Sequence, residues 1–570
     1  MAGVAKGVTV RRTWRGAARW AGAIAVAAIA APLVGSTVSS AAGTAPTNPV
    51  GHIAAAPLGQ PPGTLEVNVM NEAVRGGEPE LAVNPQNPQN LLFGHTVVAN
   101  NYANDSFQAG FGRVPGGLQS SSDAGQTWTA DQSPPLSLTE GPNPFLQFIG
   151  HPGAAGFTSM NGGGDAIEAS GPDGSLYAGG VVVGPVITSG PIRLDDNEGN
   201  TLGFEVDQGA IVVVRSTDGG KTFGPSSSVL SDQGLLGMVQ RGMHPSLGGF
   251  GVNPFDRPWI SVDRSSGDVY VSTTAHPERY VAVSHDHAQT WGPVEALDCD
   301  PAPTPARSDA VTCGAYPESG GGSIASALGV LGAGYIASAA PGRSCPCAVF
   351  ETSTDAGAHW SRHVVADHLQ NGSDIFIAAD SFNQGRFAVL VLPGHTVAGG
   401  LAGLSASRNV PLGVAIVTTS DSGNTWSFPW LLGDEAGTHI TNRPWIAYTS
   451  VQDGTGPTGV LAVLWRNAYP PYNPRSFLVP GTQNVFAAVS RDNGGTFGAP
   501  VQLNSAASPP PDPVQFAEDD VSWVVVTTQY VYGAWGDWRA TSGNPVAPQA
   551  SPPSGELNSW IARVPVTGFG

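Results

Sequence analysis

The sequence predicts an all-β chain built from one small antiparallel sheet repeated around the molecule. The strongest observation is a phrase, Ser-x-Asp-x-Gly-x-Thr-Trp (Phe allowed at the end), present six times. Its copies are Ser121 to Trp128, Ser216 to Phe223, Ser284 to Trp291, Ser353 to Trp360, Thr419 to Trp426 and Ser490 to Phe497. The aspartates Asp123, Asp218, Asp286, Asp355, Asp421 and Asp492 stand 95, 68, 69, 66 and 71 residues apart, a period that marks a repeated supersecondary unit. The second observation is composition. Gly 76 and Pro 49 in 570 residues make the chain rich in turn formers, while 41% apolar residues and 14 Trp argue against disorder. The third is that long amphipathic helical patterns are lacking after the N-terminus.

The phrase is a turn. Asp accepts nearby backbone N–H groups, Gly tolerates positive φ, and Thr with an aromatic leads into a strand. Strand-like runs flank it, such as Ala210 to Arg215 before the second copy, so each copy predicts a hairpin turn in an antiparallel sheet. Ala288 replaces Gly in the third copy and His359 replaces Thr in the fourth, so those two turns are expected to be looser.

The phrase resembles the Asp-box, or BNR, repeat of sialidase-like β-propellers, and the resemblance covers most of the chain from about Gly77 onward. It implies four-stranded antiparallel blades with the phrase joining the two outer strands. In that family the six aspartates are structural and lie away from the propeller axis. Each copy is preceded by a hairpin that would form the two inner strands. These hairpins start near Glu78, Asp165, Arg257, Ser323, Asp374 and Arg443. A seventh, from Asp520 to Trp535, has no phrase and lacks a fourth strand; Thr64 to Val69 offers one. Pairing of first and last strands would close the ring and remove a sheet edge, so seven blades are expected, with six as the alternative.

The N-terminus is of another kind. Lys6, Arg11, Arg12, Arg15 and Arg19 precede an apolar run, Ala21 to Val34, and small residues follow at Ser40-Ala41-Ala42. Residues 1–42 therefore read as an export signal, 43–62 as a linker and 63–570 as one propeller domain. Arg11-Arg12 with Trp14 resembles a twin-arginine signal. The expected location is secreted and extracellular. Removing 1–42 takes away five basic residues and no acidic one, carrying the net charge from −19 to −24. Such a surface repels nucleic acid and anionic lipid, so neither is an expected partner. No membrane association is expected after cleavage, and the chain is expected to be a monomer. Cys299, Cys313, Cys345 and Cys347 form an even set in an exported chain, which favours two disulfides; three pairings are open, with a direct Cys345–Cys347 link expected to be strained.

Propellers bind ligands at one mouth of the central channel, near the starts of the innermost strands. Aligning those strands places Glu78, Asp165, Arg257, Ser323, Asp374, Arg443 and Asp520 in one ring. The candidate catalytic carboxylates are Asp165, Asp374, Asp520 and Glu78, since glycoside cleavage uses two carboxyl groups roughly 5–10 Å apart. The candidate ligand-binding residues are Arg257, Arg443 and Arg539 for an anionic or hydroxylated ligand, and Trp259 and Trp445 as stacking faces for sugar rings. The competing reading is a ring of charges that satisfy one another, with Arg-Pro-Trp recurring because it packs blades. The sialidase comparison is incomplete: an arginine triad, a Tyr–Glu pair and the early Phe/Tyr-Arg-Ile-Pro phrase are not found. No cofactor or metal is expected. The acidic loop Asp195 to Asn200 reads as a solvated insertion, with Ca²⁺ binding as the weaker alternative. The expected function is carbohydrate recognition or processing outside the cell, with a glycan or glycoconjugate partner, in the manner of a glycoside hydrolase. The alternative is a non-catalytic propeller that binds a protein or a cell-wall polymer.

Overall fold

The computed structural model describes residues 51–53, 59–69, 75–98, 117–129, 136–138, 160–183, 194–195, 201–203, 209–231, 255–275, 278–297, 318–320, 322–369, 374–393, 395–396, 409–410, 413–427, 429–433, 439–453, 458–470, 481–509, 521–539 and 557–570. All fall within one compact unit, Ala45–Gly570. The expected export signal, Cys299, Cys313, Asp520 and most of the Asp195 to Asn200 loop lie outside the described residues.

Small antiparallel sheets in a β-propeller arrangement make up the described chain, and its one helical element is the short turn Val566–Gly568. No helix among the described residues is long and apolar enough to cross a membrane. The first sheet holds Arg75–Val83, Leu91–Val98 and Gly117–Ser121. The second is Met160–Ser170, Leu176–Val183, Gly209–Ser216 and Ser227–Ser231, with Ser137–Leu138 added inside. The third is Phe255–Val262, Val269–Ala275, Glu278–Ser284 and Glu295–Ala296. In the fourth, Ile324–Ser326 and Glu318–Gly320 both pair with Leu331–Ala337, followed by Cys347–Ser353 and Ser361–Ala366. The fifth is Ile375–Ala379, Phe387–Val391, Val414–Thr419 and Trp430–Leu432, extended by Gly51–Ile53 in parallel.

Seven separate blades, the sequence expectation, are not what forms. The remaining eight main strands make one curled sheet. Ile440–Val451, Leu461–Tyr469, Thr482–Ser490 and Val501–Gln502 are one half; Trp523–Thr527, Tyr530–Asp537, Asn558–Pro565 and Leu65–Asn68 are the other. The halves fuse because Ile440–Val451 runs on past its hairpin partner and pairs in parallel with the next inner strand, at Thr449↔Val526 and Val451↔Thr527. Leu65–Asn68 lies antiparallel to Asn558–Pro565, with Leu65 opposite Arg563 and Asn68 opposite Trp560. Residues 51–53, expected in a linker, are instead a strand.

Innermost strands are tied side to side. The Glu168 amide donates to Glu80, the Arg257 amide to Asp165, and the Ser326 amide to the Ser261 hydroxyl. The Ile377 amide donates to the Ser323 hydroxyl, and the Phe376 ring lies 5.0 Å from Trp445, tilted by 60°. The Trp523 indole then donates to the Leu81 carbonyl at 3.0 Å, linking the last inner strand to the first. Between sheets the core is apolar. Ile167, Ile211, Val213, Ile260 and Val271 pack the second sheet on the third, for example. Burying one such side chain stabilises by about 1.5–3 kcal/mol.

All six phrases fold into one turn. In each, the leading hydroxyl donates to Asp Oδ1 at 2.8 Å and accepts the N–H of the left-handed residue that follows the Asp by two. The amide four residues after the Asp closes the loop on the same carboxylate, as Thr127 does on Asp123 at 2.9 Å. The expectation that the third and fourth turns are looser is corrected. Ala288 holds φ 63° and keeps the Ser284 bond at 2.9 Å, and His359 Nδ1 replaces the Thr hydroxyl at 2.6 Å from Asp355. Cys345 and Cys347 are bonded to each other, the pairing the sequence disfavoured; their Cα atoms, 4.4 Å apart, are within the span a disulfide bridges.

Candidate functional site

Four of the seven ring positions share one unusual backbone state. Glu78, Asp165, Arg257 and Arg443 have φ of 50°, 46°, 45° and 45°. Each sits where the register of its inner strand slips: between Gly77 and Glu80, Gly164 and Ile167, Asp256 and Trp259, and Asn442 and Trp445. These are bulges, and they explain the local sequence. Proline follows in three of the four (Pro79, Pro258, Pro444), at a point where a ladder N–H is not required. Glycine would hold this conformation without the steric cost of about 1–2 kcal/mol that a side chain incurs. Ser323 and Asp374 begin their strands without this conformation, and Asp520 is outside the described residues.

The structure brings Asp165, Arg257 and Asp374 together. The Arg257 amide donates to Asp165 Oδ2 at 2.9 Å, and its guanidinium donates a short bond to Asp374 Oδ2. The Arg257 and Asp374 side chains are 34% and 19% exposed, so this pair faces water in part. Arg279, fully buried beneath, donates to the Arg257 carbonyl at 3.4 Å. Glu78 and Arg443 are buried at the equivalent bulges.

One layer deeper the hub is divided. On one side it is aromatic. Trp445 stacks on Trp523 at 3.7 Å between centroids, Trp259 lies 5.0 Å from Trp445 and 6.0 Å from Trp523, and Phe376 closes the group. The expectation that Trp259 and Trp445 offer stacking faces to sugar rings is therefore corrected. They are 4% and 6% exposed and are spent on each other, because two residues beyond the bulge the side chain turns into the hub.

On the other side the hub is acidic. Glu80 stands in its own Glu-Pro-Glu phrase where Trp259 and Trp445 stand in theirs. It accepts the Glu168 amide at 3.0 Å, and Glu168 is buried beside it against Gly94, where a Cβ would fall 1.8 Å from Glu168 Oε1. Burial pushes the Glu80 carboxyl well up, and the charge of Glu168 and then of Asp165 adds to this against the amide bond. Burial likewise raises Glu168 well above the usual carboxylate range. Two such groups in one dry site favour protonation, since like charges and desolvation both oppose ionisation. The sequence reading missed Glu80 and Glu168; a signal was present in the acid standing two residues after Glu78, in the Trp position of the recurring phrase.

Arg539 is placed elsewhere, a second correction. It bonds Glu66 at 2.7 Å and Asp537 at 2.9 Å, and its guanidinium lies 4.2 Å over Trp560. It joins the N-terminal strand to the last sheet because Leu65–Asn68 pairs beside it. Arg466 is similarly committed, donating to Ser522 at 2.8 Å and to the Val521 carbonyl at 3.0 Å. The six phrase aspartates sit at turns past the ends of the third strands, held by their own hydroxyls and amides. Among the described residues no cluster of three or more His, Cys, Asp or Glu is arranged to hold a metal ion. The charged ring thus presents carboxylate acceptors and guanidinium donors, with the buried carboxyls of Glu80 and Glu168 nearby.

No family model matches this chain, and no curated protein matches it. Solved structures do. The chain is similar to a protein of unknown function from Dyadobacter fermentans, with TM-score 0.40, 12% identity, and 88% of this chain and 100% of the other covered. It is similar to a Hadza microbial sialidase, with TM-score 0.37, 14% identity, and 71% and 66% covered. It is also similar to an α-L-arabinofuranosidase from Fusarium graminearum solved with an iminosugar inhibitor, with TM-score 0.36, 13% identity, and 71% and 93% covered. At these scores the likenesses carry no activity over to this chain.

Proposed function

We propose that this chain is a secreted β-propeller that recognises and processes carbohydrate outside the cell, with its ligand seated on the ring formed by Glu78, Asp165, Arg257, Asp374 and Arg443. In this reading the six turns are Asp-box repeats, the curled eight-stranded sheet counts as two blades of seven, and residues 1–42 are an export signal. The chain acts as a monomer, with neither nucleic acid nor membrane as partner.

One observation carries the reading. Four charged residues occupy the same left-handed bulge on four inner strands. Each such residue costs stability that glycine would spare, and strain of this kind gathers at functional sites. Packing alone does not call for a charge there. Carboxylate acceptors and guanidinium donors on one rim match a ligand dense in hydroxyls, and the arginines suit a sugar acid within an otherwise acidic chain. Glu80 and Glu168 do not reach the ligand. Asp165 and Asp374 are in this reading the opposed carboxylates, one serving as acid and the other as base or nucleophile.

Turnover of a fluorogenic sialic acid glycoside, and a glycan array probed with the purified protein, test this reading. Hydrolysis lost in Asp374→Ala and binding weakened in Arg443→Ala support it. A second reading, a non-catalytic propeller binding a protein or cell-wall polymer, is favoured by the ion pair that engages Asp374 with Arg257. Glycan binding without turnover selects a lectin-like role for the same ring; neither binding nor turnover overturns the carbohydrate reading.

A further inference from the structure

A second cleft lies on the face opposite the ring. The ring residues Glu78, Asp165, Arg257, Asp374 and Arg443 stand five or more residues before the ends of their inner strands. The cleft is built from residues that follow their ends: Asn87 and Gln89 after Val83, Asp453 after Val451, and Gln529 after Thr527. The turn of the first phrase, Asp123 to Gln126, forms another wall, and Tyr530, Tyr532 and Arg563 form the back. Its volume is about 580 Å³, within the ~300–1,000 Å³ of small-molecule sites. It opens where the first sheet meets the last, so no single blade could form it.

The lining selects a chemistry. Arg563 donates to the Ala124 carbonyl at 2.8 Å and lies 4.9 Å over Tyr530, while its Nε is buried without an acceptor. The two carboxylates are already engaged. Asp123 takes Ser121 and Thr127, and Asp453 takes the Thr528 hydroxyl at 2.7 Å and the Gln529 amide at 2.9 Å. With two acids to one base in a chain of net charge −19, an anion is disfavoured. With both acids spent on internal hydrogen bonds, a cation gains little. Of the amide side chains, Gln126 donates to the Asp123 carbonyl at 2.9 Å and Gln529 to the Asp453 carbonyl, which leaves Asn87 and Gln89 beside a half-exposed tyrosine. Amides meet hydroxyls as donors and acceptors, and an aromatic face meets the C–H face of a sugar ring.

We propose that this cleft is a neutral-oligosaccharide site, separate from the charged ring and independent of what the ring does. It would anchor the protein on a polymer while the opposite face stays free. The test is isothermal titration of the full-length exported protein with cellotetraose, maltotetraose and arabinotetraose, with 3′-sialyllactose as the anionic comparison. At least one neutral tetrasaccharide is expected to bind. Tyr530→Ala and Gln89→Ala are each expected to weaken it at least tenfold, while Asp374→Ala and Arg443→Ala leave it within twofold. Circular dichroism and the melting temperature check that variants fold, and exposed Gln89 gives a variant with little structural consequence if Tyr530→Ala does not fold. Three results overturn the proposal: no neutral tetrasaccharide binds, binding survives Gln89→Ala and Tyr530→Ala, or sialyllactose alone binds through these residues.

Discussion

Glycine 94 and Glu168 show how single residues set the acidic half of the hub. A Cβ at position 94 would overlap Glu168 Oε1 at 1.8 Å and Cδ at 2.3 Å, so the buried Glu168 carboxyl would have to shift. Gly94→Ala is therefore expected to cost about 1–3 kcal/mol, read by urea unfolding. Glu168 itself sets a pH dependence. Its folded pKa is raised by burial above the unfolded value of about 4.3. Its contribution to stability is complete below that value and is lost as pH rises through the folded pKa. Glu168→Gln, which stays neutral, is expected to shrink the fall in melting temperature between pH 5 and 8. An unchanged slope would show that Glu168 is ionised in the native protein.

At the scale of the element, the repeated turn is a closed hydrogen-bond unit whose carboxylate does most of the joining. Slight burial pushes Asp218 up, but the Thr222 hydroxyl and amide, the Ser216 hydroxyl and the Lys221 amide outweigh it and hold the group at about 2. The Thr290 hydroxyl and amide lead the same lowering at Asp286. With folded pKa values below the unfolded value of about 3.9, these turns contribute stability above pH 4 and lose it as pH falls toward 2. Asp218→Ala removes the acceptor of four hydrogen bonds at a largely exposed site and is expected to cost about 1–2 kcal/mol in urea unfolding at pH 7. The same variant should lose less stability than the parent on acidification. The turns also brace neighbouring sheets: the Trp291 indole donates to Ser227 of the preceding sheet at 3.0 Å, and Trp426 packs edge-on to Phe350 at 5.3 Å.

For the whole molecule, the seam between the first and last parts of the chain is the critical joint. Arg539 stands between Glu66 and Asp537, all three buried or nearly so. Burial lifts the Asp537 carboxyl above its ordinary value even with the Arg539 charge pulling it down. Arg539→Ala would leave two carboxylates in a dry site and is expected to cost about 3–5 kcal/mol, visible as a lower melting temperature. Glu66→Gln in the same background should recover part of that loss; no recovery would show that Arg539 acts through its packing on Trp560.

Periodicity was readable in the chain because turn chemistry is local. Asp, Gly, Thr and an aromatic within eight residues specify the same hydrogen bonds wherever they occur, so the repeated sheet and the start of each inner strand followed from the letters. The ring positions Glu78, Asp165, Arg257 and Arg443 were found the same way, through the apolar pattern that follows each. What lies across the hub was not local. Trp259 reads as a sugar platform until Trp445, Phe376 and Trp523 arrive from three other strands to bury it. Glu80 and Glu168, 88 residues apart, are not picked out from the sequence because only the fold places one beside the other. Arg539 reads as a ligand arginine until the N-terminal strand delivers Glu66. Burial and charge pairing depend on neighbours distant in sequence, and only the tertiary structure brings those neighbours into contact.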